Sequence, residues 1–401
     1  MSQKKIYKLE GVVQHYAWGG ESYIPALLEV EAEQGKKYAE YWMGAHDNAP
    51  ALIGDDKQPL NKVLEADKNV LLNADVAAKF GRLPYLFKVL DVKDMLSIQV
   101  HPTKEEAEKG FALENKAGIP ISASNRNYKD DNHKPEIMVA LSEFWLLHGF
   151  RPENELKEIL ASVPEFRHLQ EIFDNEGYFG LYKYVMELSQ EEVNQLLKPL
   201  VERVLPLYKE GKLEKSSADY WTAKAVDSAD SSDYDRGIFS IYFFNIVKVN
   251  KGEAVFQDAG VPHAYLEGQN MELMANSDNV LRGGLTPKHV DVPELLKHVT
   301  FEAVHPNIMK GEAVKSGLER IYKSPVPDFE LSRIELNAGE TYTHEAYSAE
   351  VLFVNEGEVT VDGSASVLLK SGEAAVVFSG ENYSLSTSSD VVIYKAAVPV
   401  L

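Results

Sequence analysis

The 401-residue chain has no cysteine. This absence excludes a disulfide framework and removes the thiolate from the possible ligands of a metal ion. A transition metal would have to be held by imidazole nitrogen and by carboxylate or amide oxygen. That mixed donor set suits zinc and leaves a position open for water or substrate. The absence is also compatible with the reducing cytoplasm, and we expect a cytoplasmic protein.

Positive charge is scarce as well, because 41 Lys and Arg residues stand against 62 Asp and Glu residues and give a net charge of −21. Such a chain repels nucleic acid and anionic membrane surfaces, and it has no basic stripe with interleaved aromatic residues. No run is long and apolar enough to span a bilayer, and residues 1–10 do not form the apolar core of a targeting peptide. We therefore expect a small-molecule substrate, and neither nucleic acid nor a membrane as partner. We also expect a monomer.

Three short segments, far apart in the sequence, carry the residue types that a cysteine-free metal site needs. They are residues 99–101 (Gln-Val-His), 133–136 (His-Lys-Pro-Glu) and 262–265 (Pro-His-Ala-Tyr). Each lies beside an apolar run that predicts a strand. A histidine in a strand is often only a hydrogen-bonded structural residue. Spacing alone therefore leaves a metal site and a structural role open.

Residues 95–102 predict a strand that ends at His101, because apolar and polar residues alternate up to Pro102. The side-chain period of two then places Ser97, Gln99 and His101 on one face. Two ligands at positions i and i+2 of a strand are already held close together, so their side chains would lose little conformational freedom when they bind an ion.

The other two segments are predicted at the starts of strands. Glu136 follows Pro135, which disfavours helix in the residue before it, and precedes the apolar run 137–141. His263 follows a turn-forming Gly-Val-Pro sequence and precedes a third strand. The side chains of Glu136 and His263 would therefore each lie at the start of a strand.

An anionic substrate would need cations in its own pocket, because distant surface carboxylates are screened. Lys88 lies inside the apolar run 83–90, where an unpaired ammonium would be costly. Arg282 precedes two glycines, which allow a ligand to approach the backbone, and its guanidinium can bind oxygens with two parallel bonds. A structural ion pair between Arg282 and Asp278 is the alternative.

The organisation of the chain changes near residue 152. The sequence before it predicts mostly β structure, whereas residues 153–210 carry helical spacing, with Ser189 and Glu192 as a capping box. The acidic, serine-rich segment 228–234 predicts a loop, and residues 244–249 predict a return to strand. Because ligand candidates lie on both sides of the helical region, it is predicted to interrupt one β domain.

A segment near the end of the sequence is similar to an earlier segment. Gly-Glu-Ala-Val-Phe from residue 252 is matched by Gly-Glu-Ala-Ala-Val from residue 372, and a second glycine follows at the same offset in both copies. In that register Tyr383 corresponds to His263, so the second copy has lost this ligand candidate. Its nearby His344 lacks a neighbouring His, Gln or Glu arranged as in the first copy. We expect a second, metal-free β-barrel.

Seven blocks of the sequence resemble the type I mannose-6-phosphate isomerases, zinc-dependent members of the cupin superfamily. The blocks follow the order of the family and span most of residues 10–295. They are residues 15–19, 40–46, 83–90, 96–102, 127–130, 133–136 and 277–288.

The resemblance implies a mainly β fold with a helical insertion. It is made of tandem cupin domains, which are jelly-roll β-barrels, and an α-helical domain interrupts the first. The implied domains are a discontinuous catalytic cupin domain (1–151 and 235–315), a helical insertion domain (152–234) and a metal-free C-terminal cupin domain (316–401).

The resemblance also implies a chemistry. One zinc ion per chain would be held by Gln99, His101, Glu136 and His263, and mannose 6-phosphate and fructose 6-phosphate would be interconverted by proton transfer through an enediol. Three residues compete for the role of general base, and the choice stays open. They are Glu272, His133 and Lys134.

The remaining candidates would contact the substrate. Arg282 is assigned to the transition state or to the phosphate. The further phosphate contacts are Ser97, Lys88 and Lys288, and the residues that form apolar walls or hold sugar hydroxyls are Trp18 and Tyr265.

Three other classes of protein are weighed against this interpretation. A non-catalytic cupin that senses a sugar phosphate would have lost a metal ligand or Arg282, and neither is lost. A cupin oxygenase with iron or manganese is disfavoured by one glutamine and one glutamate in the ligand set. A bifunctional isomerase and guanylyltransferase would need a phosphate-cradling glycine loop, which the sequence lacks.

Overall fold

The computed structural model describes residues 4–229 and 231–401 and shows a protein made mostly of β-sheet, with helices. The strands before the long helices are β1 (Ile6–Glu10), β2 (Val12–Gln14), β3 (Glu40–Gly44), β4 (Leu52–Ile53), β5 (Gln58–Pro59), β6 (Tyr85–Val92), β7 (Gln99–Val100), β8 (Glu136–Ala140) and β9 (Phe144–Phe150). The later strands are β10 (Phe244–Val249), β11 (Ala254–Gln257), β12 (His263–Ala275), β13 (Leu281–Arg282), β14 (Glu312–Val314), β15 (Glu319–Tyr322), β16 (Glu330–Leu336), β17 (Thr341–Glu345), β18 (Glu350–Glu356), β19 (Glu358–Asp362), β20 (Ser366–Lys370), β21 (Ala374–Val377), β22 (Asn382–Ser386) and β23 (Val391–Ala397).

The longest helices follow one another between β9 and β10. The α-helices are α1 (Tyr23–Leu27), α2 (Leu60–Ala66), α3 (Lys68–Leu71), α4 (Ala74–Phe80), α5 (Lys104–Lys116), α6 (Glu153–Ser162), α7 (Gln170–Glu187), α8 (Gln190–Lys209), α9 (Ala218–Asp227), α10 (Gly237–Phe243) and α11 (Val292–His298). Within residues 4–229 and 231–401, no helix combines the length and the apolar composition needed to cross a bilayer.

The strands form three sheets, and the strand pairs of the described chain are antiparallel. A nine-stranded sheet has the order β14-β15-β16-β23-β18-β21-β1-β4-β5. A ten-stranded sheet follows β10-β9-β12-β6-β3-β2; β7 and β8 also pair with β12, β13 pairs with β7, and β11 pairs with β8. A four-stranded sheet has the order β17-β22-β19-β20.

The two large sheets share a core. Fully buried side chains of the nine-stranded sheet, such as Val351 and Phe353, pack in one cluster with Phe87 and Val139 of the ten-stranded sheet. Burial of apolar area on this scale is the main stabilising contribution in a protein of this size. A second cluster joins the helices to β9 and β10, and a third fills the C-terminal strands.

The helical region contains features that the sequence predicted. Ser189 and Glu192 form the reciprocal capping box at the start of α8, and β10 covers the predicted return to strand. The described part of the segment 228–234 contains neither helix nor strand; residue 230 lies outside the described residues.

Before residue 152 the structure contains one longer helix that the sequence analysis did not predict, and one predicted strand is wrong in its length. Residues 104–116 form α5, which Thr103 and Glu106 open with a second capping box. In the predicted strand 95–102, only Gln99 and Val100 pair as a ladder. The reason is that Leu96 and Ile98 donate their N–H groups to separate segments, at the carbonyls of Tyr265 and Gly284.

The first strand of the chain belongs to the sheet of the C-terminal strands. In β1, Ile6 is opposite Val377 and Leu9 is opposite Ala374, both residues of β21. On its other side β1 pairs with β4. The beginning and the end of the chain are therefore hydrogen-bonded to each other.

His148 on β9 gives the stability of this fold a pH dependence that can be measured. The residue is 6% exposed, and its Nδ1 lies 2.7 Å from Oε1 of Gln257. Burial lowers the pKa of His148 to about 4. An unfolded histidine binds a proton below about pH 6.5, whereas this one stays neutral in the fold until about pH 4. As the pH falls between these values, the unfolded state is favoured.

We expect the free energy of unfolding of the unaltered protein to fall by about 1.4 kcal/mol per pH unit more steeply than that of His148→Gln over this range. Urea denaturation between pH 7 and pH 4.5 measures both slopes. His305→Gln, which changes an exposed histidine, is the matched control and should keep the slope of the unaltered protein. Equal slopes for all three proteins would contradict the burial argument.

Candidate metal centre and active site

Three buried side chains from distant parts of the sequence meet in one cluster. One potential ligand atom from each of His101, Glu136 and His263 lies within 4.8 Å of the others. The Nε2 atoms of both histidines are 3.5 Å from different oxygens of the Glu136 carboxylate. Both Nε2 atoms are buried without a hydrogen-bond partner in the described chain. Unpaired buried nitrogens are costly, so this donor set fits a metal ion.

The other nitrogen of each ring fixes its orientation. Nδ1 of His101 lies 2.9 Å from the carbonyl oxygen of Asn279, and Nδ1 of His263 lies 2.9 Å from that of Val261. A carbonyl only accepts, so each Nδ1 donates and each Nε2 presents its lone pair to the cluster. Burial, together with the nearby Lys134 ammonium, lowers the pKa of His101 to about 4. The ring is therefore neutral at physiological pH, as a metal ligand must be.

Strand pairing brings the remaining predicted ligand to this place. Glu136 is the first residue of β8, and His263 is the first residue of β12. Gln99 on β7 is directly opposite His263 on one side and directly opposite Arg282 on the other. Directly opposed residues of antiparallel strands share a face of the sheet. The amide and the guanidinium therefore lie on the face of the sheet that carries the imidazole.

Lys134 balances the charge of the carboxylate in the cluster. Its Nζ lies 2.6 Å from Oε1 of Glu136, and both residues are buried. Burial alone would raise the pKa of Glu136, but Lys134 and His101 outweigh it and hold this pKa well below its usual range. Glu136 is therefore a carboxylate at neutral pH.

Lys88 lies in a second buried group of charges. Its Nζ is 3.0 Å from Oε2 of Glu272 and 3.4 Å from Oε2 of Glu40. Burial alone would lower the pKa of Lys88, but Glu272 and Glu40 outweigh it and raise this pKa above its usual value. For Glu272, burial raises the pKa; Lys88 opposes this effect, and the negative charge of Glu136 adds to it.

Arg282 makes no ion pair within residues 4–229 and 231–401, and it is half-buried. The alternative ion pair with Asp278 is therefore wrong. Asp278 instead lies 3.3 Å from Nε2 of His46. Burial lowers the pKa of Arg282. A guanidinium without a protein partner is available to an anionic ligand.

The other predicted site residues differ in their surroundings. Tyr265 is buried, and its hydroxyl has no hydrogen-bond partner in the described chain. Trp18 is partly buried and stacks on Tyr16, with 5.9 Å between the ring centroids. Ser97 is half-buried. Lys288 is exposed, and the structure shows no contact between it and the cluster.

His133 lies three residues before Glu136 in the sequence. Its Nε2 is 3.0 Å from Oδ2 of Asp328. Three contacts in this region escaped the sequence analysis, although two of the residues lie in segments it had singled out. Those two are Glu40 and Asn279, and the third is Asp328, for which no motif gave a signal.

The comparisons with known proteins agree along the whole chain. Residues 6–153 match the family described as Phosphomannose isomerase type I, catalytic domain. The chain is 41% identical over 385 residues to the mannose-6-phosphate isomerase of Escherichia coli, covering 94% of this chain and 96% of that protein. It is 33% identical to the mannose-6-phosphate isomerase of Homo sapiens, covering 99% of each.

A solved structure gives the same result for the fold. Mannose 6-phosphate isomerase from Salmonella typhimurium, described as bound to its substrate (f6p) and to a zinc atom, superposes with a TM-score of 0.88 and 35% identity. The match covers 99% of this chain and 100% of that one. The chain therefore belongs to the type I phosphomannose isomerase family.

Proposed function

We propose that this protein is a zinc-dependent aldose–ketose isomerase that interconverts mannose 6-phosphate and fructose 6-phosphate. The observation that carries the proposal is the buried cluster of His101, Glu136 and His263, in which both Nε2 atoms lack a partner in the described chain. The related Salmonella typhimurium isomerase, described as holding zinc and f6p, supports the choice of metal and substrate.

The proposed zinc ligands are three neutral groups and one anion. Gln99, His101 and His263 contribute no charge, and Glu136 contributes one negative charge. A zinc ion held there would keep a net positive charge and would stabilise the oxygen anion that develops when a proton leaves carbon. One such site is proposed per chain.

We assign the phosphate or the transition state to Arg282, because its guanidinium has no ion-pair partner within the described residues and shares a face with Gln99. Lys88 is less available than its sequence suggested, since two carboxylates already neutralise it. We propose that Lys88 contributes to the reaction mainly through its ion pair with Glu272, which holds that carboxylate in place. The further proposed contacts are Ser97, Lys288, Trp18 and Tyr265.

Isomerisation requires groups that take and return protons during ring opening and enediol formation. Glu272 is suited to this work because burial raises the pKa of its carboxyl group above the ordinary value. His133 is suited because its imidazole is partly exposed and it precedes the cluster residue Glu136 by three residues. Lys134 forms an ion pair with Glu136, so we assign it to charge balance. We therefore divide the proton transfers between Glu272 and His133.

We also propose the tandem cupin architecture, with a discontinuous catalytic domain (1–151 and 235–315), a helical insertion (152–234) and a C-terminal barrel (316–401). Strand register supports it. Glu136 on β8 is opposite the last residue of β11, and Glu350 on β18 is opposite the last residue of β21. His263 is opposite Gln99, and Tyr383 is opposite His344.

The same correspondence supports a C-terminal barrel without metal. The N–H of Gly260 donates to the carbonyl of His101, and the N–H of Gly380 donates in the same way to Ala346. Two ligand positions of the first barrel are thus occupied by an alanine and a tyrosine in the second. The replacements for Gln99, His101, Glu136 and His263 are His344, Ala346, Glu350 and Tyr383.

A sugar-phosphate sensor without turnover is not favoured, because the ligand cluster and Arg282 are both present. The monomeric state and the cytoplasmic location stay predictions.

Turnover is the first test. We expect the purified protein to produce fructose 6-phosphate from mannose 6-phosphate, to lose at least about 100-fold in rate after chelation, and to recover when zinc is added back. A coupled assay for fructose 6-phosphate measures all three states. Full activity after complete removal of metal would contradict the metal site. No activity in zinc-loaded protein would contradict the substrate.

Single substitutions separate the metal ligands from the substrate contacts. We expect His101→Ala and Glu136→Ala to lose zinc and activity together, because each removes a ligand. Arg282→Ala should keep zinc and lower kcat/KM by roughly 10²–10³-fold, since it removes a charge that stabilises the transition state. Elemental analysis of zinc and steady-state kinetics measure both properties.

His148→Gln is the matched control. His148 is a buried histidine directly opposite His263, and its own Nδ1 is hydrogen-bonded to Gln257. The variant should keep zinc. Full zinc occupancy in His263→Ala would overturn the ligand set.

A further inference from the structure

Asp328 is a buried carboxylate from the C-terminal part of the chain that contacts His133, one of the proposed proton-transfer residues. It lies between β15 and β16, and its side chain is 4% exposed. Its two oxygens are 3.1 and 3.0 Å from Nε2 of His133. Among the described residues, the hydrogen bonds to this carboxylate come from His133 alone. A buried carboxylate with one imidazole partner is weak evidence of a stabilising role, because burying the charge is costly.

Both partners are held in place by their neighbours. Phe329, next to Asp328, is 1% exposed in the core shared by the two large sheets, and the following Glu330 begins β16 opposite Ala397. On the other side, the carbonyl of Pro135 accepts from the N–H of Ala275 on β12. The contact between His133 and Asp328 therefore joins two fixed segments.

The contact determines which nitrogen of His133 is basic. An ionised carboxylate can only accept, so Nε2 of His133 carries the proton and donates it to Asp328. In the neutral ring Nδ1 then holds the lone pair. Nδ1 makes no hydrogen bond with any residue in the described ranges. It is the nitrogen that remains free to take a proton.

We propose that Asp328 is a positioning residue for the isomerase reaction, which holds His133 in the tautomer with the proton on Nε2 and leaves Nδ1 as the basic nitrogen. The inference rests on the proposed function. It makes a residue of the C-terminal part of the chain necessary for the full rate of a reaction whose proposed metal ligands all lie before residue 264.

Asp328→Asn tests the proposal because it keeps the shape and removes the charge. An amide can donate to Nε2, which would move the ring proton to Nδ1. We expect kcat to fall about tenfold or more, with KM changed less than about twofold, since Asp328 acts through His133 and not on substrate. Asp328→Glu, which restores a carboxylate, should recover part of the loss. The matched control is Glu330→Gln, which removes a carboxylate two residues away and should keep kcat.

A double-mutant cycle decides whether the effect passes through His133. In a His133→Gln background, Asp328→Asn should change kcat by less than about twofold. Zinc content and melting temperature, measured on every variant, should match those of the unaltered protein. An equal loss in both backgrounds, or a loss that follows zinc content or melting temperature, would overturn the inference.

Failure of the inference is distinguishable from failure of the proposed function. If the unaltered protein isomerises mannose 6-phosphate and Asp328→Asn does so at the same rate, the function stands and the role of Asp328 is wrong. If the unaltered zinc-loaded protein has no turnover, the proposed function fails first.

Discussion

The pairing of β12 with four other strands is the constraint on which the site depends. This thirteen-residue strand begins at His263 opposite Gln99 and His148, and further along it places Glu272 opposite Lys88. A shift of one residue would turn every side chain of the strand to the other face. The register that buries β12 thus brings the imidazole of His263 to the ligand cluster and the carboxylate of Glu272 to Lys88.

Charge inside the site is organised separately from charge on the surface. The chain carries a net charge of −21, yet in the buried region two lysines are paired with three carboxylates: Lys134 with Glu136, and Lys88 with Glu272 and Glu40. Such pairs are costly to assemble and costly to break, because each partner alone would be an uncompensated buried charge. Arg282 is left outside this balance, which suits a residue that meets an anionic substrate.

The sequence predicted the residues of the cluster because each lies beside an apolar run, and because seven blocks resemble one family. It could not predict which side chains meet across strands, since pairing depends on register and not on local composition. Lys88 shows this limit: the resemblance implied a phosphate contact, and nothing in the sequence indicated the two carboxylate partners that the structure shows. Asp328 shows it more fully, because no pattern near that residue pointed to His133. The strand predicted at 95–102 was too long for a similar reason, as its first residues bond to separate segments.

The pairing of β1 with β21 also bears on how the chain is made. Ile6 is translated before its partner Val377, which lies far later in the sequence. During translation β1 therefore has an edge without its final neighbour until β21 has been made. An unpaired strand edge is a template for association with other chains, and contacts between distant residues form slowly. The nine-stranded sheet therefore cannot be completed until both β1 and β21 have been made, and β1 stays open to wrong partners for that time.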